Sequence, residues 1–277
     1  MLIGYAKGSF DILRQKDLQS LDEQIQLSKE DGANVFGLGI YDSNLCENLG
    51  LSTPLKSLDD RMKIMKQIRG IDFVFPVYSL DDELIEAQVE SAYRAYEKEI
   101  EEKTKENEEK KYEIGYAPGT YDLFHAGHLE NLLIAASQCK KLVVGVKANE
   151  LVMEHKKRVP IIDAEERMEI LRHFKFVDDV YKYYTRNPNV ANEYIKNKYG
   201  QDAVVFVGSD LEADFSKVKG LKVVYTHRDP ELMKTRSTTA YRKIYLGKHE
   251  KERYTGNLKK QTGYLDRKEE KTEELER

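Results

Sequence analysis

The chain has 277 residues, enough for one large or two small domains, and its 45 Lys and Arg against 49 Asp and Glu leave a formal net charge of -4. With 34% charged residues and a mean hydropathy of -0.66, the composition excludes a chain built around membrane-spanning helices, and the acidic balance argues against a nucleic-acid surface, which needs a basic face. Cys46 and Cys139 lack any paired or metal-ligand spacing and read as reduced thiols, and Lys7 and Asp11 interrupt the N-terminal apolar residues before a signal-peptide core could form, so a cytoplasmic protein is expected.

In chain order, residues 1–80 come first, and they are read through a later segment that they resemble. Gly4-Tyr-Ala-Lys-Gly8-Ser-Phe-Asp11-Ile-Leu-Arg14-Gln-Lys16-Asp17-Leu18 lies without a gap over Gly115-Tyr-Ala-Pro-Gly119-Thr-Tyr-Asp122-Leu-Phe-His125-Ala-Gly127-His128-Leu129. After a small insertion, Gly39-Ile40 lies over Gly145-Val146, Pro54 over Pro160, Arg61-Met62 over Arg167-Met168 and Ile71-Asp-Phe-Val74 over Val177-Asp-Asp-Val180. This correspondence predicts a tandem duplication of one βαβ-based unit. Nothing after Phe75-Pro-Val77 answers to Gly208-Ser-Asp210 or Ser237-Thr-Thr239, so the first copy is expected to be truncated and degenerate.

Residues 81–111 contain no Gly or Pro and predict a charged helical linker, its apolar stripe set by Leu84, Ala87, Ser91 and Ala95. Residues 112–246 form the third segment. The pattern there predicts strands at 112–117, 142–147, 178–182, 203–207 and 222–226, with helices at 128–138, 163–173, 189–198 and 238–245. That alternation implies an α/β fold with a parallel, doubly wound sheet. Residues 247–277 carry many charges and few aliphatics, and are expected to be a frayed or disordered tail.

The third segment holds the chemistry. Gly119-Thr-Tyr-Asp-Leu-Phe-His125-Ala-Gly127-His128 sets two imidazoles three residues apart where a strand turns into a helix. Backbone amides and the positive end of the helix dipole attract phosphate there, and Gly127 lets the ligand approach the backbone. Isolated, such a pair would read as surface polar residues. Ligands of doubly wound sheets bind beyond the carboxyl ends of the strands, and His125, Lys147, Asp210 and Arg228 all fall at or just after strand ends. Asp122 keeps its counterpart Asp11 in the first copy and reads as a loop-holding acceptor rather than a metal ligand.

The motif, followed in order by Glu166-Arg167, Lys175-Phe-Val-Asp178, Val207-Gly208-Ser-Asp210 and Arg236-Ser237-Thr238-Thr239, resembles the cytidylyltransferase branch of the HxGH nucleotidyltransferases over roughly residues 112–245. The resemblance implies two tandem Rossmann-like units, the second catalytic. It implies transfer of CMP from CTP to a phosphorylated alcohol, with glycerol phosphate favoured and phosphocholine, phosphoethanolamine or a sugar phosphate as alternatives. Catalytic roles then fall to His125, His128, Lys157 and Arg228. Nucleotide contacts fall to Gly119, Thr120, Tyr121, Gly127, Lys156, Arg167, Asp210, Arg236, Ser237, Thr238 and Thr239. Arg61 repeats Arg167 in the first copy, so a structural role common to both halves competes for that arginine.

Mg²⁺ is expected to arrive with CTP, because no acidic cluster has metal-ligand spacing. Family members commonly pair two such folds about a twofold axis, so the resemblance implies an intramolecular pseudo-dimer or a homodimer. Two departures stand out: Lys175 replaces a frequent arginine, and 228–236 is longer than its family counterpart and lacks glycine. In the first copy the histidine positions hold Arg14 and Asp17, which makes catalysis there implausible and leaves a structural partner, or alternatively a regulatory pocket. An adenylyltransferase is disfavoured by the lead-in motif, and an aminoacyl-tRNA synthetase by length. A non-catalytic nucleotide-binding protein is the reading from a different class.

Overall fold

Strands β1 (Ile3–Gly8), β2 (Val35–Tyr41) and β3 (Phe73–Val77) form a parallel sheet in the order β1-β2-β3. Strands β4 (Tyr112–Gly119), β5 (Cys139–Lys147), β6 (Asp179–Tyr183), β7 (Val204–Gly208) and β8 (Val223–Thr226) form a second parallel sheet in the order β6-β5-β4-β7-β8. The computed structural model describes residues 2–103, 109–209, 215, 218–227 and 237–247. Both sheets belong to one unit, residues 1–238, and residues 239–277 form another, helical over 239–247.

Helices carry the crossovers. They are α1 (Gln15–Glu30), α2 (Ser43–Asn48), α3 (Leu58–Met65) and α4 (Asp82–Lys103), then α5 (Ala126–Gln138), α6 (Asn149–Lys156), α7 (Ala164–Arg172) and α8 (Pro188–Tyr199). Local chemistry sets their ends. The side chains of Ser57, Asp163 and Asn187 accept first-turn amides of α3, α7 and α8, Pro188 opens α8, and Gly200 closes it at φ 79°. In β5, Leu142 to Val146 are buried without a break, as expected of a central parallel strand covered on both faces. Among the described residues no helix is long and apolar enough to cross a membrane.

Two expectations need correction. Residues 149–156, where the pattern predicted no helix, form α6, and Lys156 is its last residue. In α4 the apolar stripe is shifted: Ile85 and Val89 are buried and Ala92, Tyr93 and Tyr96 pack beside them against β3, whereas Leu84, Ala87, Ser91 and Ala95 are exposed. Positions 85, 89, 92 and 96 keep helical spacing, and the three aromatic contacts of Phe73 with Phe75, Tyr93 and Tyr96 decide which face turns inward. The first half of α4 is therefore core rather than linker.

The two sheets repeat one another in detail. Gly8 pairs with Ile40 as Gly119 pairs with Val146, and Tyr41 pairs with Val77 as Lys147 pairs with Tyr183. Asp11 accepts the amides of Leu55 and Lys56 as Asp122 accepts those of Ile161 and Ile162. Asp72 accepts the amide of Phe36 and Asp178 that of Leu142, both at 2.8 Å.

Several contacts between the halves are reciprocal. Ile68 and Phe174 form an antiparallel bridge, the Arg69 amide donates to the His173 carbonyl at 2.8 Å, and the Lys175 amide donates to the Gln67 carbonyl at 2.9 Å. The Arg69 guanidinium donates to the carbonyls of Arg172 and Val177, and the Lys175 ammonium to those of Lys66 and Ile71. Helix α1 packs on α7 and α3 on α5. Each of these contacts recurs with the two halves exchanged.

Candidate active site

β4 lies where the strand order of its sheet reverses, β5 on one side and β7 on the other, so a crevice opens beyond its carboxyl end. The chain leaves Gly119 through two left-handed residues, Tyr121 at φ 55° and Leu123 at φ 49°. A Cβ on Gly119 would stand 2.6 Å from the Tyr121 ring, so this turn requires glycine. Tyr121 is buried and its hydroxyl donates to the Ala117 carbonyl at 3.0 Å.

His125 is the N-cap of α5, in extended conformation, and no side chain caps the helix start. His128 sits in the first turn, its amide donating to the His125 carbonyl at 2.9 Å. The two imidazoles stack at 3.8 Å between ring centroids and 23° between planes. Their Nε2 atoms lie 3.1 Å (His125) and 3.5 Å (His128) from one hydroxyl, that of Thr238. Tyr121 stands edge-on to the His128 ring at 5.2 Å, and Phe124 flanks it at 5.6 Å. Two ring donors thus share a helix N-terminus with a hydroxyl, an arrangement suited to an oxyanion.

The loops around this pair are held by two buried charges. Asp122, 3% exposed, grips Ile161 and Ile162. Arg167, 1% exposed, donates to the carbonyls of Ile162, Thr120 and Lys147 and to Asn149 Oδ1. Burial lowers the pKa of Arg167, offset in part by the charges of Asp122 and Asp163, and the Glu165 amide with the Asn149 side chain lowers that of Asp163. Its guanidinium is engaged by the protein itself, and Arg167 ties three loops together. Arg61 does the same in the other sheet, donating to the carbonyls of Lys56, Ser9 and Tyr41. Tyr121, another expected nucleotide contact, likewise turns its hydroxyl to the backbone.

Residues 116–252 match the family model described as cytidylyltransferase-like. An FAD synthase from Pyrococcus abyssi is 36% identical over 111 residues, covering 38% of this chain and 72% of that protein. The chain belongs to the cytidylyltransferase-like family. A probable ethanolamine-phosphate cytidylyltransferase from Encephalitozoon cuniculi is 34% identical over 120 residues, 43% of this chain and 35% of that protein. The choline-phosphate cytidylyltransferase of Saccharomyces cerevisiae is 30% identical over 123 residues, 41% of this chain and 28% of that protein. This chain therefore spans about a third of the length of those two cytidylyltransferases.

The cytidylyltransferase-like region brings together His125, Gly127, His128, Gly119, Thr120 and Thr238. Lys156, at the end of α6, reaches the Thr120 hydroxyl at 3.4 Å, whereas Lys157 is the exposed left-handed residue that ends this helix, at φ 52°. Ser237 is half-buried beside Thr238 in the chain, and Thr239 begins the second unit. Asp210, Arg228 and Arg236 lie outside the described residues. Asn149 was not anticipated, although its place directly after β5, at a helix start, is a signal for a polar bridge. The contact of Asn131 on α5 with Thr226 at the end of β8 carried no such signal.

Proposed function

We propose that this chain transfers a cytidylyl group from CTP to a phosphorylated alcohol, releasing pyrophosphate. The observation that carries the reading is the stacked pair His125 and His128 at the uncapped start of α5, with the Thr238 hydroxyl between their Nε2 atoms. An oxygen of the acceptor phosphate attacks the α-phosphorus, and the bond from that phosphorus to the bridging oxygen of pyrophosphate breaks. The acceptor is already anionic and needs no general base. Both imidazoles donate hydrogen bonds to the phosphate oxygens as charge accumulates. Lys156, beside Thr120, adds a positive charge at the crevice edge.

Among the described residues no three His, Cys, Asp or Glu side chains converge as a metal site, and Asp122 is held by two amides. These residues do not fit a protein-held Mg²⁺, and the ion is assigned to the nucleotide's own phosphates, with no step routed through it. The acceptor is taken from phosphoethanolamine, phosphocholine and glycerol phosphate, the first two being substrates named by relatives. The likeness to FAD synthase favours a second reading, adenylyl transfer from ATP to flavin phosphate.

We further infer that residues 1–80 are a degenerate copy acting as an intramolecular partner of the catalytic one. The shared strand registers and the reciprocal contacts of Arg69 and Lys175 support this. At the start of α1, the Gln15 amide donates to Glu166 Oε1 at 3.1 Å and the Arg14 amide to Asp17. Carboxylates thus occupy the position where a phosphate would bind, which disfavours a nucleotide site there.

Pyrophosphate release is followed with CTP or ATP against ethanolamine phosphate, choline phosphate, both glycerol phosphate isomers and flavin mononucleotide. Release with CTP and one alcohol phosphate, lost in His128→Ala, is expected. Release with ATP and the flavin alone establishes the second reading instead. CTP binding without release for any acceptor rejects an enzyme acting on these substrates.

A further inference from the structure

Two ring contacts and one backbone bridge connect the His128 imidazole to the interface between the two halves. Phe124 flanks His128 at 5.6 Å and packs on Phe174 at 4.7 Å between ring centroids. Phe174 in turn pairs through its backbone with Ile68, from the half that carries no histidine pair, in an antiparallel bridge that sets the two side chains on the same face. Ile68 and Phe174 are 0% exposed and Phe124 is 3% exposed, so all three lie in the close-packed core.

The stack is asymmetric where the clamps of Arg69 and Lys175 are reciprocal. The position of Phe124 is held in the other half by Leu13, also buried, that of Phe174 by Ile68, and that of His128 by Asp17. Aromatic rings line the one side that has an imidazole to hold, and aliphatic side chains the side that has none. Phe124 also neighbours His125 in the chain, directly before α5. Helix α3 of the N-terminal half packs on α5 as well, so that half supports the histidine-bearing helix from two directions.

We propose that Ile68 is a positioning residue: from the N-terminal half it fixes, through Phe174 and Phe124, the ring orientation of His128. The proposal rests on the role given above to His128 in phosphoryl chemistry. Close-packed rings transmit a displacement rather than absorb it, and a shift well under the length of a bond misaligns a donor with its phosphate oxygen. Removing side-chain volume at Ile68 lets Phe174 and Phe124 relax and frees the imidazole to tilt. The nucleotide is held by many groups, so the transition state loses more than the ground state and turnover falls while KM for CTP holds.

The test uses the full-length chain with ¹⁵N-labelled imidazoles, one of only 6 histidines being His128. Ile68→Val and Ile68→Ala are compared with Ile85→Ala, a side chain equally buried in the same half but facing β3. The Ile68 variants are expected to shift the His128 ring resonances and to lower kcat on the order of tenfold, with KM for CTP within about twofold. Ile85→Ala should lose stability without moving either. His128 resonances and kcat that are unchanged in Ile68→Val and Ile68→Ala, or changed equally in Ile85→Ala, overturn the proposal. Should Ile68→Ala not fold, the milder Ile68→Val decides through the same resonances. If the wild type turns over no acceptor, the proposed reaction fails, and the imidazole shifts alone still decide whether Ile68 positions His128.

Discussion

Single residues separate what the sequence could tell from what it could not. The histidine pair was legible because its spacing, its glycine and the strand-to-helix turn all point to one use, and losing His128 is expected to lower turnover on the order of 10²- to 10³-fold. Steady-state pyrophosphate release reads this directly. Arg167 was not legible, because a buried arginine holding carbonyls and one holding phosphate look alike in a sequence. Only the four acceptors of its guanidinium distinguish them. Lys56 offers a sharper residue-level prediction. Burial pushes its pKa down to about 8 although Asp11 pulls the other way, and its counterpart Ile162 fills the equivalent place with an alkyl chain. The ammonium is thus disfavoured in the folded chain. The unfolded chain holds the extra proton between about pH 8 and about 10.4, and stability should rise with pH across that window. Lys56→Ile should remove that rise and stabilise the fold at pH 7 by about 1–3 kcal/mol, measured by denaturant melts at both pH values.

Among elements, strand and helix positions in the second half fell close to expectation, because alternation and periodicity are strong where β5 and its neighbours are buried on both faces. Two errors have a common cause. In α6 only Leu151 and Val152 are buried, too few to write a period into eight residues. In α4 several alternative faces carry apolar residues, and tertiary packing on Phe73 selects one. The chosen face is testable: Leu84→Ala should change stability by less than about 0.5 kcal/mol, whereas Ile85→Ala should cost about 2–5 kcal/mol. Equal losses in chemical denaturation would mean that the helix is rotated from the orientation described.

The interface between the two sheets organises the whole molecule. Its reciprocal contacts were foreshadowed by the gapless match of residues 4–18 with 115–129, but no sequence pattern could say that Ile68 would meet Phe174. Arg69 and Lys175 each donate to two backbone carbonyls of the opposite half. Replacing either by alanine should cost about 1.5–3 kcal/mol in thermal or denaturant unfolding, as for hydrogen bonds to charged groups. Losing both should sum, if the two clamps act independently. The histidine-bearing helix gains a fixed support from within its own polypeptide.

The central claim is that the stacked imidazoles at the start of α5 stabilise charge on a nucleotide's α-phosphate. The most direct measurement is pyrophosphate release from CTP by the wild type and by His125→Ala, each with its CTP affinity measured alongside. The account predicts that turnover falls by at least about 10²-fold while CTP remains bound at comparable affinity. Turnover that survives in His125→Ala would contradict it.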